Sequence, residues 1–299
     1  MTFKIRNFTE KDLPVLVKLL NDAYRGTHEF TPYTEEDLLS WIRDGNLTIL
    51  MAEENGEVIG SVSYRSGHWG EEIQWVVASQ KPNRKLVEDA LIREIEKYVK
   101  GETVFSAVDA GSPKINEWIE RGYKPEGGLY HMIAKLDGKK PLPEVPEGII
   151  LRTLKPAEEK AFVEAVNAGF GWERIQQGTI ERWKKEHKVF NEEWIQIAEY
   201  NNQIVSVVVA KPDTEYNNFF GAKRGYLGPA ATLPEHRGKN LASALTRKAM
   251  NFLFEKEFDS VALYTAEQNL PSVTLLQKLG FQIEHHWKFM KKTLSKRNG

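Results

Sequence analysis

The residues best suited to chemistry form one short run, His236-Arg237-Gly238-Lys239-Asn240-Leu241-Ala242. It follows an apolar, strand-like stretch at residues 226–232, which Leu233-Pro234 brings to an end. It leads into a helical pattern with Leu241, Leu245, Ala249 and Phe252 on one face. Small residues let a ligand approach the backbone closely. The first turn of a helix presents N–H groups with no internal partner, at the positive end of the helix dipole. Arg237 and Lys239 add positive charge. Such a turn suits an anion, and a pyrophosphate above all. The bland alternative is an ordinary strand-to-helix turn carrying two surface cations.

A fold has to position that turn, and the fold is written twice. Residues 3–24 and 149–170 open alike, with Arg6 matching Arg152 and Asn21 matching Asn167. Both 152 − 6 and 167 − 21 give 146. The stretch beginning at Ala52 matches that beginning at Ala198 with the same offset. We read a duplicated domain. Each half opens with a short strand and a helix. Next come two strands, 48–53 and 58–65 in the first half, 194–199 and 204–211 in the second. Asn55-Gly56 and Asn201-Asn202 mark their hairpin turns. A strand–helix–strand–helix order follows, which implies parallel pairing by crossover. The expected class is α/β (α+β, mixed sheet): two tandem domains, each a twisted mixed sheet with helices on both faces. Residues 138–147 carry three prolines and no apolar period, so they read as a linker between domains 1–137 and 148–299.

Composition narrows the classes. The chain of 299 residues is 41% hydrophobic and 28% charged, enough for sizeable cores. With 41 basic and 42 acidic residues, a general nucleic-acid partner is not expected. No apolar run suits a membrane span, and the start of the sequence lacks the apolar core of a secretory signal. The absence of cysteine excludes disulfides, thiolate metal sites and a cysteine nucleophile. The expected compartment is cytoplasmic. The basic run 288–297 reads as a solvated tail.

Residues 226–281 resemble the GCN5-related N-acetyltransferase (GNAT) family, on three pieces in the family's order. The run from Thr232 to Ala242 is similar to the family's acetyl-CoA pyrophosphate loop, R/Q-x-x-G-x-G/A. Leu263-Tyr264-Thr265, followed by Asn269 and Ser272, is similar to the fifth strand and the asparagine after it. Leu279-Gly280-Phe281 matches the closing motif. The resemblance implies a role at each position. Arg237, Gly238, Lys239, Asn240, Leu241 and Ala242 would hold the pyrophosphate. Ala230, Ala231 and Thr232 would splay from the neighbouring strand and pair with the pantetheine arm. An N–H near Ala231 would polarise the thioester carbonyl, and Asn269 would bond the arm or help place the thioester. Asn269 also suits a helix N-cap, and Gly280 a left-handed helix end.

The implied reaction moves acetyl from acetyl-CoA to a primary amine of a small molecule or peptide, with no metal. Two departures bear on it. Asn240 replaces the middle glycine, and Leu276 stands where many members carry a tyrosine acid. The strand 226–232 holds no carboxylate, so Glu267 and Tyr264 are the candidate catalytic groups. In the first half, Glu88 and Asp89 occupy the matching helix start and would repel a pyrophosphate. That half is expected to be degenerate, serving as support or as one wall of an acceptor site. Gly171-Trp172-Glu173 and the segment 65–75, with His68 and Trp69, are the acceptor-side aromatics and acids; surface packing is their bland reading. Two rival functions remain: a CoA-binding scaffold or sensor, and an acyltransferase using a longer donor or a protein N-terminus. The oligomeric state is not legible.

Overall fold

The computed structural model describes residues 2–44, 47–67, 70–79 and 82–294. Contacts divide the chain into two units, residues 1–129 with 286–299, and residues 130–285. In chain order the first half runs β1 (Lys4–Asn7), α1 (Leu13–Tyr24), α2 (Glu35–Asp44), β2 (Thr48–Glu54), β3 (Glu57–Gly67), β4 (Gly70–Ala78), α3 (Arg84–Ile95), β5 (Thr103–Asp109), α4 (Lys114–Glu120) and β6 (Lys124–Lys135). The second half runs β7 (Ile150–Thr153), α5 (Glu159–Phe170), α6 (Thr179–Glu186), β8 (Ile195–Tyr200), β9 (Gln203–Pro212), α7 (Thr214–Phe220), β10 (Arg224–Thr232), α8 (Leu241–Glu255), β11 (Ser260–Ala266), α9 (Leu270–Lys278) and β12 (Gln282–Thr293).

The first unit orders its strands β1-β2-β3-β4-β5-β12. Pairing is antiparallel except between β4 and β5. The second orders them β6-β11-β10-β9-β8-β7, with β10 and β11 parallel. The units therefore do not break at residues 138–147, where the prolines suggested a boundary. The final strand of each half is divided instead. Residues 130–135 of β6 belong to the second unit, and residues 286–293 of β12 to the first. Trp287 to Thr293 pair antiparallel with Asp109 to Thr103, and Met290 is fully buried in the first unit's core. The basic run from Lys288 is thus a strand up to Thr293, and not a solvated tail. Phe289 and Met290 are both buried, on opposite faces of the sheet, between half-buried Lys288 and Lys291. The prolines of 138–147 lie outside any regular element. Asn251 of α8 holds that segment through both Lys140 backbone groups, at 3.0 and 2.8 Å.

The duplication extends to individual hydrogen bonds. Asn55 and Gly56 take φ of 52° and 83°, and Asn201 and Asn202 take 49° and 61°. These left-handed pairs match the twist of a two-residue hairpin. Each hairpin shifts register at the same place, after Ala52 and after Ala198. The Arg6 guanidinium donates to both oxygens of Asp12, at 2.7 and 2.8 Å, and to Glu53 at 2.7 Å. Arg152 bonds Glu158 and Glu199 in the same way. The two clasps tie the first strand to the helix entry and the second strand. Asn21 accepts from Tyr33 N–H and donates to its carbonyl; Asn167 likewise accepts from Arg174 and Ile175 and donates to the Ile175 carbonyl. Each asparagine thus fixes the loop after its first helix.

Helices cover the sheets through apolar stripes. Leu13, Leu16 and Leu20 are the buried face of α1, and Leu241, Ala244, Leu245, Ala249 and Leu253 that of α8. Phe162 of α5 is fully buried, and a side chain of that size contributes about 1.5–3 kcal/mol when removed from water. Among the described residues, no helix is long and apolar enough to cross a membrane.

The clasp makes a pH-dependent prediction. Hydrogen bonding to Arg6 holds the Asp12 carboxyl down at about 2, against the opposing effect of burial. A depressed carboxylate stabilises the fold above its unfolded value near 4. That contribution fades as pH falls from about 4 through about 2. Asp12→Asn should cost about 1–2 kcal/mol at pH 7, the exposure of Arg6 reducing the full linkage value. Urea unfolding should show the deficit shrinking toward pH 2; a deficit that does not change with pH excludes the clasp as its source.

Candidate functional site

The second unit's site begins where its central ladder stops. β10 pairs with β11 only through Arg224–Ser260, Gly225–Val261 and Tyr226–Ala262. On its other side β10 stays paired with β9 as far as Thr232 and Ser206, with a bulge between Leu227 and Ala230. Beyond Tyr226 the two parallel strands part, leaving a fork with backbone groups along its inner edge. Ala230 is exposed in this stretch, Thr232 half-buried and Ala231 buried. The Ala231 carbonyl accepts from Ser206 Oγ at 3.1 Å, and Ser206 and Thr232 share a hydroxyl bond of 2.7 Å. Pro229 lies in the bulge and has no N–H to offer.

The fork opens toward the turn that precedes α8. Gly238 and Asn240 both have left-handed backbones, with φ of 74° and 60°. Asn240 is the N-cap of α8, and nothing lies within 4 Å of where a Gly238 Cβ would stand. Lys239 is exposed, Leu241 is buried and anchors the helix, and Ala242 is half-buried in its first turn. Arg237 braces this turn. Its guanidinium donates to the Gly169 carbonyl at 2.8 Å and to the Thr232 carbonyl at 3.3 Å. Gly169 ends α5 so close to β10 that a Cβ there would meet Ala231 at 2.8 Å. The space at Gly238 is open, and the first N–H groups of α8, which have no partner within the helix, are the groups that could hold a pyrophosphate here.

Tyr264 and Glu267 lie past the fork. Tyr264 is 42% exposed on β11 and stacks on the His131 ring at 4.7 Å. Glu267 is half-buried in the turn before α9. Asn269 caps α9, accepting from Ser272 N at 3.4 Å, and Thr265 Oγ1 donates to Ser272 Oγ at 3.3 Å. Leu276 is buried in the core, so the position where the resemblance led one to look for a tyrosine faces inward. His68 and Trp69 lie outside the described residues. Trp172 is 43% exposed, with the Arg174 guanidinium 5.6 Å from its ring centre.

Sequence reasoning passed over Lys211 and Tyr226. They are cross-strand partners, and the Lys211 ammonium sits over the Trp183 and Tyr226 rings at 4.9 and 5.8 Å. Burial lowers the Lys211 pKa; Glu186 and Asp213 oppose this, and Arg174 and Arg182 reinforce it. Burial pushes the Tyr226 hydroxyl up to about 12, and the Asp213 charge adds to this. Tyr226 therefore stays protonated at neutral pH. The one signal in the sequence was a lysine ending an otherwise apolar strand.

The first unit has a matching fork with a different lining. β4 pairs with β5 only at Glu72–Phe105. A cleft of about 290 Å³ opens there, lined by Tyr24, Trp75, Glu88, Trp118, Arg121 and Trp287 among others. α3 begins at Arg84, four residues before Glu88, so Glu88 and Asp89 fall in its second turn and not at the helix start that the sequence comparison suggested. Arg84 binds Glu88 at 2.8 Å, and Arg121 binds Asp89 at 2.7 Å and Glu88 at 3.3 Å. Glu88 and Arg121 meet in the cleft as an ion pair.

Residues 154–281 match the acetyltransferase (GNAT) family. A mycothiol acetyltransferase of Thermobispora bispora is 31% identical over 160 residues, 51% of this chain and 53% of that protein. The match thus spans about half the length of that curated relative. A mycothiol acetyltransferase of Nocardia farcinica is 26% identical over 85% of this chain and 86% of its own length. A solved tandem GNAT protein from the clavulanic acid biosynthesis pathway has the same fold. It has a TM-score of 0.66 and 15% identity, covering 99% of this chain and 100% of that one.

The left-handed turn makes its own prediction. A β-branched residue at position 240 meets the steric cost of that conformation. Asn240→Val should lose about 1–2 kcal/mol, while Asn240→Gly should stay within about 0.5 kcal/mol of the parent. Chemical denaturation measures both, and equal stability of the two variants would exclude strain at this position.

Proposed function

We propose, from the premise that residues 154–281 belong to the acetyltransferase (GNAT) family, that the second unit acetylates a primary amine. The donor is acetyl-CoA, and the acceptor is a small molecule or peptide. One observation carries the reading: the β10–β11 ladder ends at Tyr226, and the gap leads to the left-handed turn at the start of α8. Acetyl-CoA supplies an activated acyl carbon and a thiol leaving group. The chain's own residues bind, orient and move protons. Backbone N–H groups from Gly238 to Ala242 hold the diphosphate, with Lys239 adding charge. Arg237 keeps that turn against α5. The free edge of Ala230 to Thr232 pairs with the amide arm, and an N–H near Ala231 polarises the acyl carbonyl.

The amine attacks directly, so no residue forms a covalent bond. The new C–N bond replaces the C–S bond, and the amine's proton must leave. In this reading Glu267 takes it through a water, and Tyr264 protonates the departing sulfur. Much of the acceleration comes from holding amine and acyl carbon together. The first unit does not bind CoA, because Glu88 and Asp89 repel a diphosphate and their arginines are already paired.

A second reading has one observation in its favour. Leu276 is in the core and β10 carries no carboxylate, which fits a CoA-binding protein without turnover. Release of free thiol on adding a panel of amines separates the two. The site assignment itself is tested by calorimetric titration with acetyl-CoA. One site per chain is expected, weakened at least about tenfold (about 1.4 kcal/mol) by Ala242→Glu. Two sites, or unchanged affinity in a folded variant, would overturn it.

A further inference from the structure

Paired residues on neighbouring strands project to the same face of a sheet. Tyr226 pairs with Lys211 on one side and with Ala262 on the other, so Lys211, Tyr226 and Tyr264 share a face. Gly225, one residue earlier, projects the other way, against Leu253 of α8. Lys211 therefore stands at the apex of the fork, on the face opposite α8 and its diphosphate turn. α8 fills the other face, so an acceptor has to reach the acyl carbon on the Lys211 side, which α5 covers only in part, with its Gly169 against Ala231.

The charges around this apex do not balance. Arg224 is paired with Asp213 at 2.8 Å, and Arg182 with Glu186 at 3.7 Å. His187 shares its Nδ1 with Thr214 at 2.8 Å. Among the described residues, Lys211 and Arg174 form no ion pair. Both are half-buried, and they are close enough to repel each other. Arg174 is held there deliberately by the fold: Asn167 accepts from its backbone N–H at 2.8 Å, and its guanidinium lies over Phe170 and Trp172. A half-buried ammonium walled by Trp183 and Tyr226 is costly unless an anion joins it. A planar guanidinium beside it suits a carboxylate.

We propose that Lys211 and Arg174 hold a carboxylate of the acceptor, so that the preferred substrate is a primary amine that also bears a carboxylate. This rests on the reading of the second unit as an amine acetyltransferase. Lys211 acts by positioning the substrate and takes no part in bond making.

The test compares ω-amino carboxylates of increasing chain length with alkylamines of the same length, using acetyl-CoA and free-thiol release. One carboxylate chain length should be preferred over its matching amine by at least about tenfold in kcat/KM, mostly through KM. Lys211→Met should bring that ratio close to one, and Lys211→Arg should restore most of it. Turnover without preference, or a preference that survives Lys211→Met, would overturn the inference and leave the enzyme reading standing. If no amine is turned over, calorimetric binding of the same carboxylates decides. Binding lost in Lys211→Met and kept in Lys211→Arg upholds the anion site while the acetyltransferase reading fails. Equal binding in parent and Lys211→Met, or none in either, overturns the inference as well.

Discussion

Everything at the candidate site follows from a hydrogen-bond ladder that stops early. Three residue pairs join β10 to β11, and past Tyr226 the strands no longer satisfy each other's backbone. A central strand cannot leave such groups buried and unpaired without cost. The parting is sustained because β9 holds β10 firmly from the other side, and because the bulge at residues 228–229 turns the strand. The turn before α8 continues the same logic. Its left-handed residues, Gly238 and Asn240, lead the chain directly into the first turn of α8. A ladder that ran to Thr232 would give a more regular sheet with no groove.

The two units show how a shared frame diverges. Both retain the clasp of an arginine with two acids, the loop-fixing asparagine and the shortened parallel ladder. They differ in the helix beside the fork. In the second unit α8 follows a left-handed turn at Asn240; in the first, the second turn of α3 carries Glu88 and Asp89, neutralised by Arg84 and Arg121. The arginines favour those acids, so this stretch of α3 is stabilised by internal pairs made of the same charges that would otherwise attract an anion.

Local features were legible in the sequence. The hairpins at Asn55-Gly56 and Asn201-Asn202, the helix faces and the turn at 237–242 all rest on short-range steric rules. The offset between Arg6 and Arg152 exposed the duplication. Long-range pairing was not legible. Prolines at 138–147 mark a stretch outside the regular elements, but nothing local says which sheet a strand joins, so the division of β6 and β12 went unseen. Lys211 was hidden for a related reason. Its significance lies in Trp183, Tyr226 and Arg174, which are brought around it from a helix, a strand and a loop. The two roles weighed for Asn269 divide in the same way: the cap follows from a three-residue spacing, whereas contact with a donor depends on the shape of the whole groove.

The division of the last strands sets an order for synthesis. The second unit is continuous, so every part of it has been made once residue 285 leaves the ribosome. The first unit begins earlier and finishes later, because β5 gains its partner only when residues 286–293 emerge. At 5–20 residues per second, the intervening 130–285 take roughly 8–30 s to make. During that interval β5 is a bare sheet edge, the kind of surface that recruits foreign strands. The nascent protein thus completes its second unit first and its first unit last, and its period of greatest exposure falls on the half that came out first.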